Sequence, residues 1–455
     1  MHLSFLNPAL MVSQIRVLPK KLIVCLAAVL LGACGGGSGD SPTPDMWTGI
    51  RQMGSAGLDT SGSGLTTDAA GNVFVVGTTE GSLAGNTMTG SDDLFLAKYD
   101  GVGELRVLKQ LGSPGARTQA LGAATDSESN VFVTGFTEGA LDGHALTGLR
   151  DSLLVKFDND GNQLLTRLLG AAGARTWGRA VATDHAGNVY VVGHTDGNLG
   201  GNVLLGDIDM FLTKYDNDGN IVFTRTLGVA GDSTYGVDIA VDAAGNIYST
   251  GYTQGDLDGN TLAGIRDAFL AAYDSDGNKR FIKLIGVALG NTYATSVATD
   301  SEGSPVVTGY TNGNLGGNMG NGDNSAFITK LSRNTGSIIY TKLLSATGGP
   351  LVSRSVGIDN EDNIYVTGVA LGDLDGAALT GTRDMFLAKY SNGGDQLWSS
   401  LLGSTGEGTW GQELAIDAAN NVFVTGSTEA GLGGNPLGGA LDYFVAKYSS
   451  EGALQ

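Results

Sequence analysis

One strand-like string recurs along the chain at a nearly constant interval, and this limits the folds open to it more than any other feature. The string reads GNVFVVG from Gly71, SNVFVTG from Ser129, GNVYVVG from Gly187 and GNIYSTG from Gly245. It continues as GSPVVTG from Gly303, DNIYVTG from Asp362 and NNVFVTG from Asn420, in steps of 58, 58, 58, 58, 59 and 58 residues. A fixed period of this kind marks a repeat architecture, in which each unit buries its apolar faces against its neighbours.

A second string follows in each unit, such as MFLTKYD from Met210 or MFLAKYS from Met385, and in six units a third follows, such as IVFTRTLG from Ile221. A run of small residues ending in Asp precedes the first string, at Asp68, Asp126, Asp184, Asp242, Asp300, Asp359 and Asp417. β-Branched and aromatic runs separated by Gly, Asn and Asp are four strands and no helix. The 74 glycines in 455 residues are chiefly these turns, counted seven times. Four-stranded units repeated radially make a propeller, usually of about four to eight blades. The last unit stops after its third strand, and residues 46–54 (MWTGIRQMG) align with the missing fourth, compare QLWSSLLG from Gln396. The expected fold is therefore all-β: a seven-bladed propeller of four antiparallel strands per blade, closed by the N-terminal strand completing the C-terminal blade.

The unit GNVYVVG, then DxFLxKYD, DGN and LG, resembles the SBBP type of bacterial β-propeller repeat over residues 46–455. The resemblance implies a propeller in a secreted or envelope protein. It implies no reaction, because a fold by itself licenses none.

The N-terminus has the character of an address. Arg16, Lys20 and Lys21 precede an apolar run from Leu22 to Leu31, too short to span a bilayer and suited to a signal-peptide core. Leu31-Gly32-Ala33-Cys34 resembles the bacterial lipobox, which implies a signal peptide at 1–33, starting at Met1 or Met11, and lipidation of Cys34. Residues 34–45 are then the lipidated Cys and a flexible tether. Gly35 after the Cys resembles the outer-membrane sorting signal, so the expected place is the cell envelope, lipid-anchored at the outer membrane. Loss of Arg16, Lys20 and Lys21 with the leader takes the net charge from −20 to −23. That acidity excludes nucleic acid as a partner and favours basic partners or divalent cations. Cys25 leaves with the leader, so no thiol remains for zinc or redox chemistry.

Seven copies supply an internal control: a residue present in every unit is architecture. Asp93, Asp151, Asp209, Asp267, Asp384 and Asp442 open the third strand, with Ser325 the exception, and are expected to tie loop to strand. The Gly three residues earlier, such as Gly90 or Gly206, suits positive φ or close approach. Turns such as Asp216-Asn217-Asp218-Gly219-Asn220 begin like a calcium loop but lack the later bidentate carboxylate. They are expected to be hairpin turns, with no cofactor; calcium is the alternative. The loop between second and third strands carries an Asp and an Arg eight residues apart in alternate units: Asp142 and Arg150, Asp258 and Arg266, Asp375 and Arg383. These are expected to pair within each loop. His144, His185 and His194 have no metal-ligand spacing and are expected on surface loops.

The copies differ most on the first, innermost strand. Seven residues before its terminal Asp stand Ser61, Gln119, Trp177, Tyr235, Tyr293, Val352 and Trp410, and two residues on come Ser63, Leu121, Arg179, Val237, Thr295, Arg354 and Gln412. The next register adds Asp238 and Glu413. The candidate binding residues are therefore Trp177, Tyr235, Tyr293, Trp410, Arg179, Arg354, Asp238 and Glu413, at the channel mouth, the aromatics either packing between blades or stacking on a ligand. No catalytic or metal-ligating set stands out. The expected function is a monomeric binding scaffold for a protein or glycan; the alternative is a carbohydrate-active lyase or hydrolase working through Asp238 and Glu413.

Overall fold

The second and third strands of each unit carry apolar residues in succession rather than in alternation. Val189–Thr195 and Asp209–Tyr215 are accordingly buried along nearly their whole length. A strand buried on both faces needs a neighbour on each face, and a ring of blades supplies it. The computed structural model describes residues 47–455, which form 28 strands and, among the described residues, no helix. These make seven four-stranded antiparallel sheets. The third blade runs Thr176–Thr183, Val189–Thr195, Asp209–Tyr215, Ile221–Leu227 from the axis outward, and the other blades repeat that order. The outermost strand starts with exposed residues, here Ile221 and Val222.

The apolar cores lie between blades. Tyr190, Val192, Met210 and Leu212 of the third blade pack against Ile239, Ile247, Phe269 and Ala271 of the fourth. In another core Trp47, Leu65 and Phe95 meet Phe423, Tyr443 and Val445, and the Tyr99 and Tyr443 hydroxyls bond at 2.8 Å. Arg51–Met53 pairs antiparallel with Tyr443–Val445 as the outer strand of the sheet holding Thr409–Ile416, Val422–Thr428 and Asp442–Tyr448.

Each blade is tied by the Asp that opens its third strand. Asp209 is fully buried and accepts hydrogen bonds from the Leu205 and Gly206 amides at 2.8 and 2.9 Å. Asp93, Asp151, Asp267, Asp384 and Asp442 repeat the arrangement. The Gly three residues earlier is required for close approach: a Cβ on Gly206 would lie 2.0 Å from the Asp232 carbonyl oxygen, and only Gly322 of the seven has positive φ. At the opposite end, Asp216 accepts from the Asp218 and Asn220 amides and from the Asn220 side chain, so its carboxylate is occupied in closing the hairpin.

The expected pairs between Asp142 and Arg150, Asp258 and Arg266, and Asp375 and Arg383 do not form. The three Asp residues sit at φ of 50°, 51° and 50°, which turns their carboxylates toward the outer strand. Asp142 accepts from Gln163, Asp258 pairs with Lys279, and Asp375 accepts from Gln396 and Ser399. Each Arg lies instead toward the axis: Arg150 pairs with Glu138, Arg383 with Glu429 at 2.8 Å, and Arg266 donates to Asn291 and Tyr293.

Replacing a loop-tying carboxylate removes two charge-assisted hydrogen bonds and leaves the Leu205 and Gly206 N–H groups without that acceptor. Asp209→Ala is expected to cost about 3 kcal/mol, measured as a lower urea midpoint; a change within error would show that the tie is not needed.

Candidate functional site

A β-bulge in the innermost strand of every blade aims side chains at the axis. In the third blade the pairing runs Gly178 to Gly193 and then Ala180 to Val192, so Arg179 is the extra residue. The same slip leaves Ser63, Leu121, Val237, Thr295, Arg354 and Gln412 as extra residues in the other six blades. A bulge redirects the residue it inserts, and here it faces the channel. The Gly that ends GNVYVVG makes this possible: a Cβ on Gly193 would lie 1.8 Å from the Trp177 carbonyl oxygen.

The channel is a cavity of about 290 Å³ lined by innermost strands alone, among them Arg179, Asp238, Arg354, Gln412 and Glu413. One register beyond the bulge, side chains cross the seam to the next blade. Asp238 Oδ2 accepts from the Val297 amide at 2.8 Å, Ser296 Oγ from Val356 at 3.2 Å, and Ser355 Oγ from Leu414 at 3.3 Å. Ser355 in turn donates to Glu413. Gly64, Gly122 and Ala180 hold this register in the first three blades, so no polar side chain crosses there.

Above the channel, the structure brings Trp177, Tyr235 and Tyr293 together with three rings from the second strand. Trp177 stacks on His194 at 4.9 Å, Tyr235 on Tyr252 at 4.7 Å and Tyr293 on Tyr310 at 4.9 Å. Edge-to-face contacts, His194 to Tyr235 at 5.1 Å and Tyr252 to Tyr293 at 4.9 Å, join the pairs into one arc of six half-buried rings. Arg150 lies between Phe136 and Trp177, 4.1 and 4.8 Å from their centroids. Ring faces are thus largely covered by one another and by Arg150, and the arc offers edges and hydroxyls to the mouth. Trp410 stands apart, under Arg383 at 4.2 Å.

His194 is not on a surface loop as its spacing suggested; it lies within Val189–Thr195, directly across from Trp177. Burial, reinforced by the Arg179 charge, pulls its pKa down to about 3, so the ring is neutral. Its register, the residue after the strand's Gly, was missed as part of the site. Phe136, His194, Tyr252 and Tyr310 were legible there as the cross-strand partners of Gln119, Trp177, Tyr235 and Tyr293.

The two channel acids differ from surface carboxylates. Burial and the neighbouring Asp238 raise Glu413 to about 8, against hydrogen bonds from Ser355 and the Leu414 amide. Burial likewise raises Asp238. An unfolded-chain Glu releases its proton near 4.5, whereas folded Glu413 keeps it to about 8. Between those values the native state binds more protons than the unfolded chain, so stability is fullest at the acid end and falls as pH rises.

A model of the SBBP β-propeller repeat matches residues 49–84, 166–200, 222–258, 280–316, 339–375 and 397–433. The regulatory protein FlaEY of Caulobacter vibrioides is 27% identical over 170 residues, 34% of this chain, and the match spans only 17% of that protein's length. An ulvan lyase of a new polysaccharide lyase family is 13% identical, with a TM-score of 0.52 over 89% of this chain and 97% of that one. The same lyase bound to a GlcA(1-4)Rha3S unit gives 0.51 at 13% identity, over the same 89% and 97%. At such identities the likeness is one of fold.

Glu413→Gln keeps the shape and removes the titration. Urea midpoints of the parent chain are expected to fall between about pH 5 and about pH 8, and those of Glu413→Gln to fall less; equal slopes would contradict the assignment.

Proposed function

The chain belongs to the SBBP β-propeller repeat family, and on that framework we propose that it is a binding scaffold holding a glycan at the mouth of its channel. The observation that carries this reading is the rigid aromatic arc over a small polar channel. Among the described residues, the hydroxyls of Tyr235, Tyr252 and Tyr310 make no hydrogen bond to protein and are not sealed from solvent, whereas Tyr293 accepts from Arg266 at 3.2 Å. Fixed donors on rings that cannot turn lose little conformational freedom on binding. A sugar, dense in hydroxyls, suits such donors. A broad apolar partner fits them less well, because the ring faces are already covered.

A second reading has one observation in its favour. Glu413, with a pKa near 8, keeps its proton at neutral pH beside a second carboxyl group, which is the character of a general acid. In a lyase or hydrolase Glu413 would give that proton to a leaving oxygen while Asp238 served as its partner.

Glycan-array binding followed by titration separates these readings. Tyr252→Phe and Tyr310→Phe each remove one hydroxyl and keep the ring; each is expected to weaken binding about two- to tenfold. Trp177→Ala, which opens the Arg150 sandwich, is expected to weaken it more. No glycan bound, or binding untouched by all three, removes the proposal. Sugar chain cleavage that Glu413→Gln abolishes would favour the enzyme.

The anchor at Cys34 lies outside the described residues. We infer that the propeller is held to the outer membrane by lipid on Cys34, several acyl chains each contributing about 0.8 kcal/mol per buried methylene. Cys34→Ser is expected to move the protein from the membrane fraction to the soluble fraction; unchanged fractionation would contradict the anchor.

A further inference from the structure

The mouth is rich in arginine, and most of these charges are satisfied. Arg117 pairs with Asp92 at 2.8 Å, Arg150 with Glu138, Arg175 with Asp196 at 3.5 Å and Arg383 with Glu429 at 2.8 Å. Arg179 and Arg354 are different. Both are bulge residues lining the channel, three blades apart. Among the described residues neither guanidinium has an ion pair or a hydrogen bond to protein. Acids are present in the same channel, but Asp238 and Glu413 are turned to the blade seams by the Val297 amide and by Ser355.

Two positive charges facing one narrow lumen repel each other. Burial depresses the Arg179 pKa, Tyr252 opposes that shift, and the Arg354 charge adds to it. The pair also lies near enough to the arc for its tyrosines to sense the charge. Tyr252 feels the Arg179 charge after burial and neighbouring tyrosines, and Tyr310 feels the Arg354 charge next after burial. At the same bulge register in the seventh blade, Gln412 leaves its Oε1 buried without a partner. Two guanidiniums that line one channel, lack counter-charges and are sensed by a hydroxyl-bearing rim have the composition of an anion subsite below a sugar subsite.

We propose that Arg179 and Arg354 together hold an oxyanion carried by the bound glycan, so that the ligand class is an acidic sugar bearing a carboxylate or sulfate group. The proposal rests on the glycan reading above. The anion lies between the two guanidiniums and relieves their repulsion, while the rest of the sugar engages the Tyr252 and Tyr310 hydroxyls and Gln412. With a net charge of −20 over the whole sequence, the protein at large repels polyanions. Acidic glycans are therefore held at the channel and not over the surface generally.

The test titrates the full chain, detergent-solubilised, with oligogalacturonate, a sulfated galactan oligosaccharide and a neutral cello-oligosaccharide of matched length. At least one acidic ligand is expected to bind about tenfold or more tightly than the neutral one. Arg179→Gln and Arg354→Gln are each expected to weaken acidic binding about tenfold and neutral binding by much less. The carboxylate and sulfate arms identify which oxyanion the pair takes. Removal of one charge from a repelling pair is expected to leave the melting temperature unchanged or raised, which controls for folding, and Arg179→Lys is expected to restore part of the acidic binding. Equal affinity for acidic and neutral ligands, or acidic binding indifferent to both Gln variants, overturns the anion subsite. If neutral binding in that case still falls in Trp177→Ala, the glycan reading stands without it; if no glycan binds, both readings fail.

Discussion

The bulge in each innermost strand is the constraint on which the rest depends. Seven strands converge on one axis, and regular pairing would send alternate side chains into the packed seams. Inserting one residue per strand puts Arg179, Arg354 and Gln412 into the lumen and Asp238 and Glu413 across the seams. It also turns the Trp177 carbonyl toward the second strand, where only Gly193 tolerates it. The most repetitive residue in the chain and the least repetitive one therefore answer to the same backbone slip.

From that slip the site assembles in layers. Aromatic pairs across the first two strands form the rim, the arginines lie beneath, and the carboxyl groups line the seams. Each aromatic pair contributes about 0.5–1.5 kcal/mol beyond its area burial, and together the pairs fix the tyrosine hydroxyls in place. The acids are held raised in pKa because they are drawn out of water without a cationic partner. The arginines lack an acidic partner, the property that sets them apart from the salt-bridged arginines around them.

Much of this was legible before the structure. The period located every strand, and the Asp that opens the third strand marked itself as scaffold by recurring; Asp209 and its counterparts are indeed buried loop ties. The register that varied did line the axis. Spacing alone misled in two places. Asp142 and Arg150 are eight residues apart, but a left-handed residue at the Asp sends the carboxylate outward. His194 resembled an isolated surface histidine because its relation to Trp177 is cross-strand, 17 residues away in sequence and directly opposite in the sheet.

The sequence by itself determined the number of blades, the strands within them and which residues are common to all, because burial between identical neighbours imposes one pattern on every copy. Only the tertiary structure decided which charges are left without partners. Pairing depends on side-chain direction, and direction here is set by bulges and left-handed turns that a one-dimensional pattern does not display. Arg150 and Arg179 are equally basic as letters; one lies between two aromatic rings beside Glu138, and the other faces the lumen without an acidic partner.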